Sequence, residues 1–188
     1  MPRLRCSNCD FLLNECLCAA VQPVHCDRHW LVLQHPKEQS HPKNTLRLLT
    51  LCVANLEIVR AESGADIDHA IAALKPGSVL LYPGDSALPW TASSEALPTD
   101  ASVVLIDATW RKATKMLALN PALSAMPRRA LAEGFVSRYS RRKTSVQGGL
   151  STLESLAYAR EIDEGRDPEP LLQLLDARMA IMSRHLPD

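Results

Sequence analysis

The stretch of sequence that decides the fold is Ala101-Ser102-Val103-Val104-Leu105-Ile106-Asp107-Ala108-Thr109-Trp110. Its first six residues form a nearly continuous apolar run, of the kind found in parallel strands that are covered on both faces. The run leads directly into Asp107, and a helix is predicted from about residue 111 to 119, ended by Asn120-Pro121. A buried strand followed by a helix indicates an α/β domain, in which ligands bind outside the carboxyl ends of the strands.

The rest of the chain repeats this alternation of strands and helices. Asn44 is expected to cap an early helix, and Ser151-Thr152-Leu153-Glu154 is a capping box in sequence. Residues 89–100 are expected to form a loop, and residues 135–150 a basic, irregular segment. We therefore expect a mostly parallel sheet flanked by helices, with further strands over 29–33, 56–59 and 78–82 and helices over 44–54, 65–74, 152–164 and 170–185.

The charges of the chain are segregated along the sequence. The 188 residues, typical of one domain, include 21 Lys and Arg and 21 Asp and Glu, a net charge of zero. Residues 111–143 nevertheless carry nine basic residues and one acidic residue, a net charge of +8, and the remainder carries −8. A solvated face is the ordinary interpretation of a charge run, but this excess has almost no acidic neighbours, which favours a polyanion such as RNA.

No apolar run is long enough to span a membrane, and the first residues do not resemble a signal peptide. We therefore expect a cytoplasmic protein that does not engage membranes, and no obligate protein partner is evident.

Four of the six cysteines lie close together near the start of the chain, in the pattern Cys6-x2-Cys9-x6-Cys16-x-Cys18. Four thiolates at this spacing can converge on one tetrahedral zinc ion, which would stabilise a segment too short to fold alone. Reduced surface thiols are the alternative, as is a set in which His25 or Cys26 replaces one ligand. Four cysteine ligands leave no open position, so the zinc would be structural, and we divide the chain into a zinc-binding segment, 1–26, and a second domain, 27–188.

Three loops are expected to meet at one edge of the sheet. The first follows the strand that ends at Tyr82, the second contains Asp107 and Trp110, and the third is the pair Gly148-Gly149 with the start of the helix after it. Taken alone, Asp107 could be a helix cap, Trp110 could pack on its helix, and the glycines could form an ordinary turn. Together the three loops are placed to surround a ligand, and the helix start can present backbone amides to a carboxylate or phosphate.

The sequence also resembles a known family. Asp107-x-Thr109-Trp110 and the four cysteines resemble the DTW-domain family of tRNA-uridine aminocarboxypropyltransferases, and the resemblance covers nearly the whole chain. Many relatives have a proline-containing stretch where this chain has Thr144-Ser145-Val146-Gln147, which affects only the expected loop shape. The other matching elements are His35-Pro36-x-Glu38, Asn44-Thr45-x-Arg47, Tyr82-Pro83-Gly84, Lys115-Met116, Arg142-Lys143 and Ser151-Thr152-x-Glu154.

The resemblance implies a SPOUT-like fold with a knotted C-terminal half. It also implies an S-adenosylmethionine-dependent enzyme that transfers the 3-amino-3-carboxypropyl group to N3 of a tRNA uridine and releases methylthioadenosine. On this basis Asp107 is predicted to act as the general base, beside Thr109 and Trp110, and Trp110 either stacks on the uridine or walls the cofactor pocket. The predicted cofactor-binding residues are Tyr82, Pro83, Gly84, Ala87, Leu105, Asp107, Gly149, Leu150, Ser151 and Thr152. The predicted RNA-binding residues are Arg47, Arg111, Lys115, Arg138, Arg141, Arg142 and Lys143.

Two other functions remain open from the sequence. A SPOUT-class RNA methyltransferase would use the same cofactor but release S-adenosylhomocysteine. A non-catalytic, zinc-containing RNA-binding module would explain the cysteines and the basic segment. Such a module would not bind S-adenosylmethionine, and it does not explain the Asp107-x-Thr109-Trp110 element.

Overall fold

The computed structural model describes residues 4–132, 134–139 and 149–184. Within these residues one six-stranded sheet has the order β2-β1-β5-β3-β6-β4, and every neighbouring pair is parallel. The expected α/β architecture with a mostly parallel sheet is confirmed. The strands are β1 Trp30–Gln34, β2 Leu56–Arg60, β3 Val79–Leu81, β4 Leu88–Trp90, β5 Val103–Asp107 and β6 Arg128–Leu131.

Helices cover both faces of the sheet, because successive residues of the central strands point to opposite sides. In β5, Val103 and Leu105 pack on one side, with α1, α5 and α6, whereas Val104 packs on the other, with α2, α3 and α4. The apolar run at 101–106 is therefore a strand that is buried on both faces, as its composition predicts. The helices are α1 Leu46–Cys52, α2 Gly64–Ala72, α3 Trp110–Leu119, α4 Pro121–Ala125, α5 Thr152–Glu164 and α6 Glu169–Ser183.

Three elements differ from the sequence-based expectation. The expected loop at 89–100 begins inside β4, whose Pro89 is tolerated because β4 lies at the edge of the sheet. The strand β6 lies at 128–131, within the positively charged residues 111–143, where the sequence showed no strand pattern. Helix α3 ends at Leu119, just before Asn120-Pro121, as predicted, but Pro121 also begins the short helix α4, which was not predicted, because proline fits the first turn of a helix.

The cysteine-rich segment packs on the same core as the sheet. Phe11 and Leu17 are buried in the cluster that contains Trp30 and the apolar face of α6. Between residues 4 and 26, the described part of the segment, the helical structure consists of two single 3-10 turns, Leu13–Glu15 and Cys18–Ala20. Its position therefore depends on side-chain contacts and on a backbone bridge between Val24 and Val53, rather than on long helices or strands of its own. Among the described helices, none combines the length and the apolar character that crossing a membrane requires.

Candidate functional site

An open cavity of about 740 Å³ lies at the carboxyl ends of β3, β5 and β6, closed on one side by the start of α5. This is the edge at which parallel sheets bind ligands, and the volume is typical of a small-molecule site. Apolar side chains form much of its wall. The lining residues are Leu81, Tyr82, Pro83, Leu105, Ile106, Ala108, Trp110, Ala113, Ala130, Leu131, Ala132, Gly134, Phe135, Gly149, Leu150, Thr152 and Ser155.

The cavity includes most of the predicted pocket residues, and it adds a wall that the sequence did not reveal. Gly84, Ala87, Asp107 and Ser151 do not line it, whereas Tyr82, Pro83, Leu105, Gly149, Leu150 and Thr152 do. The added wall is the end of β6 with the residues that follow, 130–132 and 134–135. It escaped sequence analysis because β6 itself was not predicted, and two arginines precede its small apolar residues.

Asp107 lies directly behind this cavity, at the centre of a hydrogen-bond network. Its Oδ2 accepts hydrogen bonds from Gln34 Nε2 at 2.9 Å and from Asn44 Nδ2 at 2.7 Å. Its Oδ1 accepts a hydrogen bond from Thr152 Oγ1 at 2.8 Å. The carboxylate is buried and joins β5 to β1, to the start of α1 and to the start of α5. Asp107 thus fixes the positions of three other elements.

The bond between Thr152 and Asp107 determines what Thr152 can offer to a ligand. A hydroxyl has one proton to donate and two lone pairs to accept with. Thr152 uses its proton on Asp107 Oδ1, and Thr152 also lines the cavity. Toward the cavity its oxygen is therefore an acceptor, backed by a buried carboxylate, which suits a cationic N–H donor.

Two aromatic rings form one wall of the cavity. The rings of Tyr82 and Trp110 are 5.6 Å apart between centroids and tilted by 57°, and the Tyr82 hydroxyl lies 3.4 Å from Thr114 Oγ1. Among the described residues, Trp110 Nε1 is buried without a hydrogen-bond partner. A buried, unpaired N–H is costly, so this indole is suited to donate to a bound group. Thr109, by contrast, is exposed at the start of α3, and its side chain does not cap the helix.

Glu154 is a buried carboxylate that sequence analysis treated only as a helix cap. The capping box is confirmed, since Ser151 Oγ accepts from the Glu154 amide and Glu154 Oε2 accepts from the Ser151 amide at 2.7 Å. Glu154 Oε1 also accepts from Ser137 Oγ at 2.9 Å and from the Arg138 amide at 2.6 Å. It therefore fixes the segment just beyond the cavity wall to α5, and its complete burial could not be inferred from the sequence.

The predicted RNA-binding cations are in different environments. The Arg47 guanidinium lies 3.9 Å from the centroid of the Phe11 ring, and Arg138 is paired with Glu169 and, at 3.2 Å, with Asp176. Contact with Glu169 raises the pKa of Arg138 above its ordinary value. Arg111 and Lys115 are exposed on α3. The other three predicted cations, Arg141, Arg142 and Lys143, lie outside the described residues.

A second group of charges surrounds His35, at the end of β1. The His35 amide donates to the Asp107 carbonyl at 3.0 Å, which places the imidazole beside the network described above. Burial lowers the pKa of His35, and the nearby ammonium groups of Lys112, Lys37 and Lys115 lower it further. Lys112 is paired with Glu38 at 2.5 Å. Lys37 and Lys115 are exposed and have no ion pair within the described residues, so a positive surface lies next to the cavity edge.

The four N-terminal cysteines form a cluster whose geometry suits a metal ion. All four Sγ atoms lie within 4.8 Å of one another, with Cys6 and Cys18 3.6 Å apart and Cys9 and Cys16 3.8 Å apart. Sulfurs at ~2.3 Å around a tetrahedral zinc are about 3.8 Å apart, so the cluster matches this ion.

The pKa values of the thiols are consistent with a metal-binding role. Hydrogen bonds from the Cys9 and Asn8 amides lower the pKa of Cys6 to about 6, whereas the neighbouring thiols raise that of Cys18 to about 12. Crowded thiols of this kind lose their protons together when a cation compensates their charge.

Comparison with known proteins shows which chains this sequence is similar to. The DTW domain model matches residues 3–183. The chain is 30% identical over 196 residues to tRNA-uridine aminocarboxypropyltransferase 2 of Mus musculus, and 29% over 195 residues to the Macaca fascicularis protein of that name. Each match covers 97% of this chain and 65% of the relative. A Drosophila melanogaster protein of the same name is 28% identical over 174 residues, covering 87% of this chain and 68% of the relative. The chain thus spans about 65% of the length of the two mammalian relatives. The search of solved structures found no significant match.

Proposed function

The chain belongs to the DTW-domain family, and on that basis we propose that it transfers the 3-amino-3-carboxypropyl group of S-adenosylmethionine to N3 of a uridine in tRNA. The main observation in support of the proposal is the cavity at the carboxyl ends of β3, β5 and β6, which is lined in part by Trp110. The three relatives named above are aminocarboxypropyltransferases by name, and two of them match 97% of this chain.

The cavity fits S-adenosylmethionine in size and in chemistry. Its apolar walls suit an adenine, the Tyr82 and Trp110 rings suit the sulfonium cation, and Trp110 Nε1 is a donor that lacks a partner among the described residues. The Thr152 oxygen suits the ammonium of the methionine moiety, and the first turn of α5 suits its carboxylate. When bound, the sulfonium supplies an electrophilic carbon on each of its three substituents, so orientation decides which group is transferred.

The reaction forms a bond from uridine N3 to the terminal carbon of the aminocarboxypropyl group. The bond between that carbon and sulfur breaks and its electron pair stays on sulfur, so methylthioadenosine leaves. The N3 proton passes to solvent or to a general base, the role predicted for Asp107. We assign Thr152 and the α5 start to hold the transferred group in line with N3. Trp110 keeps the two roles predicted for its ring, stacking on the uridine or closing the cofactor pocket.

We propose a positioning role for Asp107, which had been predicted to be the general base. Three donors engage its two oxygens, and the residue does not line the cavity. A carboxylate held in this way is well suited to orient Thr152. The general-base role stays a prediction, and an asparagine substitution distinguishes the two roles, as developed in the Discussion.

The tRNA-binding surface that we propose lies on α3 and on the loop after β1. Arg111 and Lys115 were predicted to bind RNA and are exposed, and Lys37 joins them beside the cavity edge. Arg47 and Arg138 contribute less to RNA binding in this proposal, because their guanidinium groups already have intramolecular partners. Cations without an intramolecular partner contribute the most binding free energy when they neutralise phosphates. Arg141, Arg142 and Lys143 remain candidates for the same surface.

We further propose that Cys6, Cys9, Cys16 and Cys18 hold a structural zinc ion, which makes residues 1–26 a metal-stabilised segment on the 27–188 domain. A SPOUT-like, knotted C-terminal half remains the proposal for the finer fold. A cytoplasmic location is proposed because a reducing compartment keeps such thiols available for metal.

The proposal is tested by incubating the purified chain with S-adenosylmethionine and unmodified tRNA, followed by nuclease digestion and mass spectrometry. The expected products are 3-(3-amino-3-carboxypropyl)uridine and methylthioadenosine. S-adenosylhomocysteine with a methylated nucleoside would instead identify an RNA methyltransferase. RNA binding without any affinity for S-adenosylmethionine would identify a non-catalytic module.

A further inference from the structure

We propose that Arg47 is a positioning residue that links the cysteine cluster to the ligand cavity through α1. This inference rests on the proposed function, because it concerns the affinity of the same cavity for S-adenosylmethionine. It replaces an RNA-binding role for Arg47 with an internal one. The link runs from the cysteine loop to Arg47, from there to Asn44 at the start of α1, and then through Asp107 to Thr152.

The first part of the link joins the cysteine loop to α1. Arg47 Nη2 donates to the Asp10 carbonyl at 2.5 Å and to Asp10 Oδ2 at 3.0 Å, and it lies 3.4 Å from the Cys9 carbonyl. Asp10 has a φ of 54°, a left-handed conformation that is unusual for a residue other than glycine. This conformation brings the carbonyl and the carboxylate of Asp10 to the same guanidinium. Since Cys9 is one of the four clustered thiols, Arg47 contacts the loop that shapes the cluster.

The second part joins α1 to the cavity wall. Asn44 Oδ1 accepts hydrogen bonds from the amide of Leu46 at 2.7 Å and that of Arg47 at 3.4 Å, so Asn44 caps the helix turn that carries Arg47. The Nδ2 of the same residue donates to Asp107 Oδ2 at 2.7 Å. Asp107 in turn holds Thr152, which lines the cavity. A shift of the first turn of α1 would therefore change the position of the hydroxyl that we assign to the ligand.

Arg178 provides a matched control on the same cysteine segment. Its guanidinium also lies over the Phe11 ring, at 4.7 Å, and it is paired with Glu15 at 2.7 Å. Arg178 belongs to α6, however, and α6 supplies none of the hydrogen-bond donors to Asp107. Replacing either arginine loosens the cysteine segment, but only the replacement of Arg47 also detaches that segment from the first turn of α1, which Asn44 caps.

The test compares Arg47→Ala with Arg178→Ala in the full chain, each loaded with zinc. Calorimetry measures S-adenosylmethionine affinity, and amide hydrogen exchange at residues 151–155 is measured without ligand. We expect Arg47→Ala to weaken binding about fivefold, at the lower end of ordinary coupling between sites, and to accelerate exchange in this segment. We expect Arg178→Ala to leave both unchanged, although both variants lower the melting temperature.

A double-mutant cycle with Asn44→Ala identifies the route. If Arg47 acts through Asn44, Arg47→Ala causes no further loss of affinity in the Asn44→Ala background. Equal effects of the two arginine variants, or losses that multiply in the double mutant, would overturn the inference. Should Arg47→Ala fail to fold, Arg47→Gln, which keeps the aliphatic stem, is measured in its place.

The exchange measurement keeps this inference separate from the proposed function. A wild-type chain without affinity for S-adenosylmethionine would refute the proposed function. The exchange rates at residues 151–155 would then still decide whether Arg47 positions the start of α5.

Discussion

Replacing Asp107 tests whether this carboxylate positions other groups or removes a proton. Asp107→Ala leaves the donors of Gln34, Asn44 and Thr152 without their shared acceptor. A buried donor that loses its partner costs about 1–3 kcal/mol. Gln34 is buried, whereas Asn44 and Thr152 are partly exposed and can recover some hydrogen bonding from water. We therefore expect a loss of about 3 kcal/mol in the free energy of unfolding, and a melting temperature lower by about 6–12 °C.

Asp107→Asn separates the two roles because it can keep all three contacts. The asparagine oxygen, placed at the Oδ2 position, accepts from Gln34 and Asn44, and its amide donates to the Thr152 hydroxyl. The charge is lost, so we expect a cost in stability of about 1 kcal/mol, since hydrogen bonds to charged groups are stronger by about this amount. If Asp107 positions Thr152, the transfer rate at saturating S-adenosylmethionine stays within about tenfold of wild type, because the substitution spares the geometry, whereas the affinity for the cofactor falls because Thr152 no longer donates to a carboxylate.

The assay is the initial rate of transfer from radiolabelled S-adenosylmethionine to tRNA between pH 6 and 9, with chemical denaturation in parallel. Loss of a general base typically costs 10²- to 10⁴-fold. An Asp107→Asn variant that is folded, binds the cofactor and yet loses about 10³-fold in rate would refute the positioning role. Such a result would restore Asp107 as the base.

Three further predictions concern the cofactor, the metal and the RNA. Thr152→Val, which removes the hydroxyl, weakens S-adenosylmethionine binding about tenfold by calorimetry, whereas Thr152→Ser, which retains the hydroxyl, binds as the wild type does. Equal affinities of the two variants would exclude the proposed ammonium contact. Metal analysis is expected to find one zinc ion per chain in the wild type and none in Cys9→Ala. Cys52→Ala is the control and keeps its zinc, because the Cys52 thiol lies outside the cluster. Zinc retained by Cys9→Ala would contradict the four-cysteine site. Lys115→Ala lowers the salt dependence of tRNA affinity by about one phosphate contact, whereas Arg138→Ala changes it little, because the charge of Arg138 is already paired. A larger effect of Arg138→Ala than of Lys115→Ala would show that Arg138 belongs to the RNA-binding surface.

The sequence predicts best where a structural element is determined by its own residues. The run 101–106 is apolar on both faces and became the central strand β5, and Ser151 with Glu154 forms the capping box that its pattern predicts. The strands β4 and β6 lack such patterns. The first contains Pro89 and lies at the sheet edge, and the second is half-buried with two arginines, so neither alternates between apolar and polar residues.

The candidate site was harder to predict because it depends on contacts between distant parts of the chain. Gln34, Asn44 and Thr152 meet at Asp107 only because β1 and β5 pair in register and α1 and α5 begin at the same sheet edge. The parallel topology predicted that the Asp107 loop and the start of α5 lie close together, but local patterns contain no information that Gln34 and Asn44 join them. The same limit applies to Arg138, which is 31 residues from Glu169 in sequence and yet paired with it.

The central claim is that the chain transfers the aminocarboxypropyl group rather than the methyl group. The most direct measurement uses two batches of S-adenosylmethionine, one with ¹⁴C in the carboxyl group and one with ¹⁴C in the methyl group, each incubated with the chain and unmodified tRNA. We predict that tRNA becomes labelled from the carboxyl-labelled batch and stays unlabelled from the methyl-labelled batch. Label that enters tRNA from the methyl group alone would contradict the account.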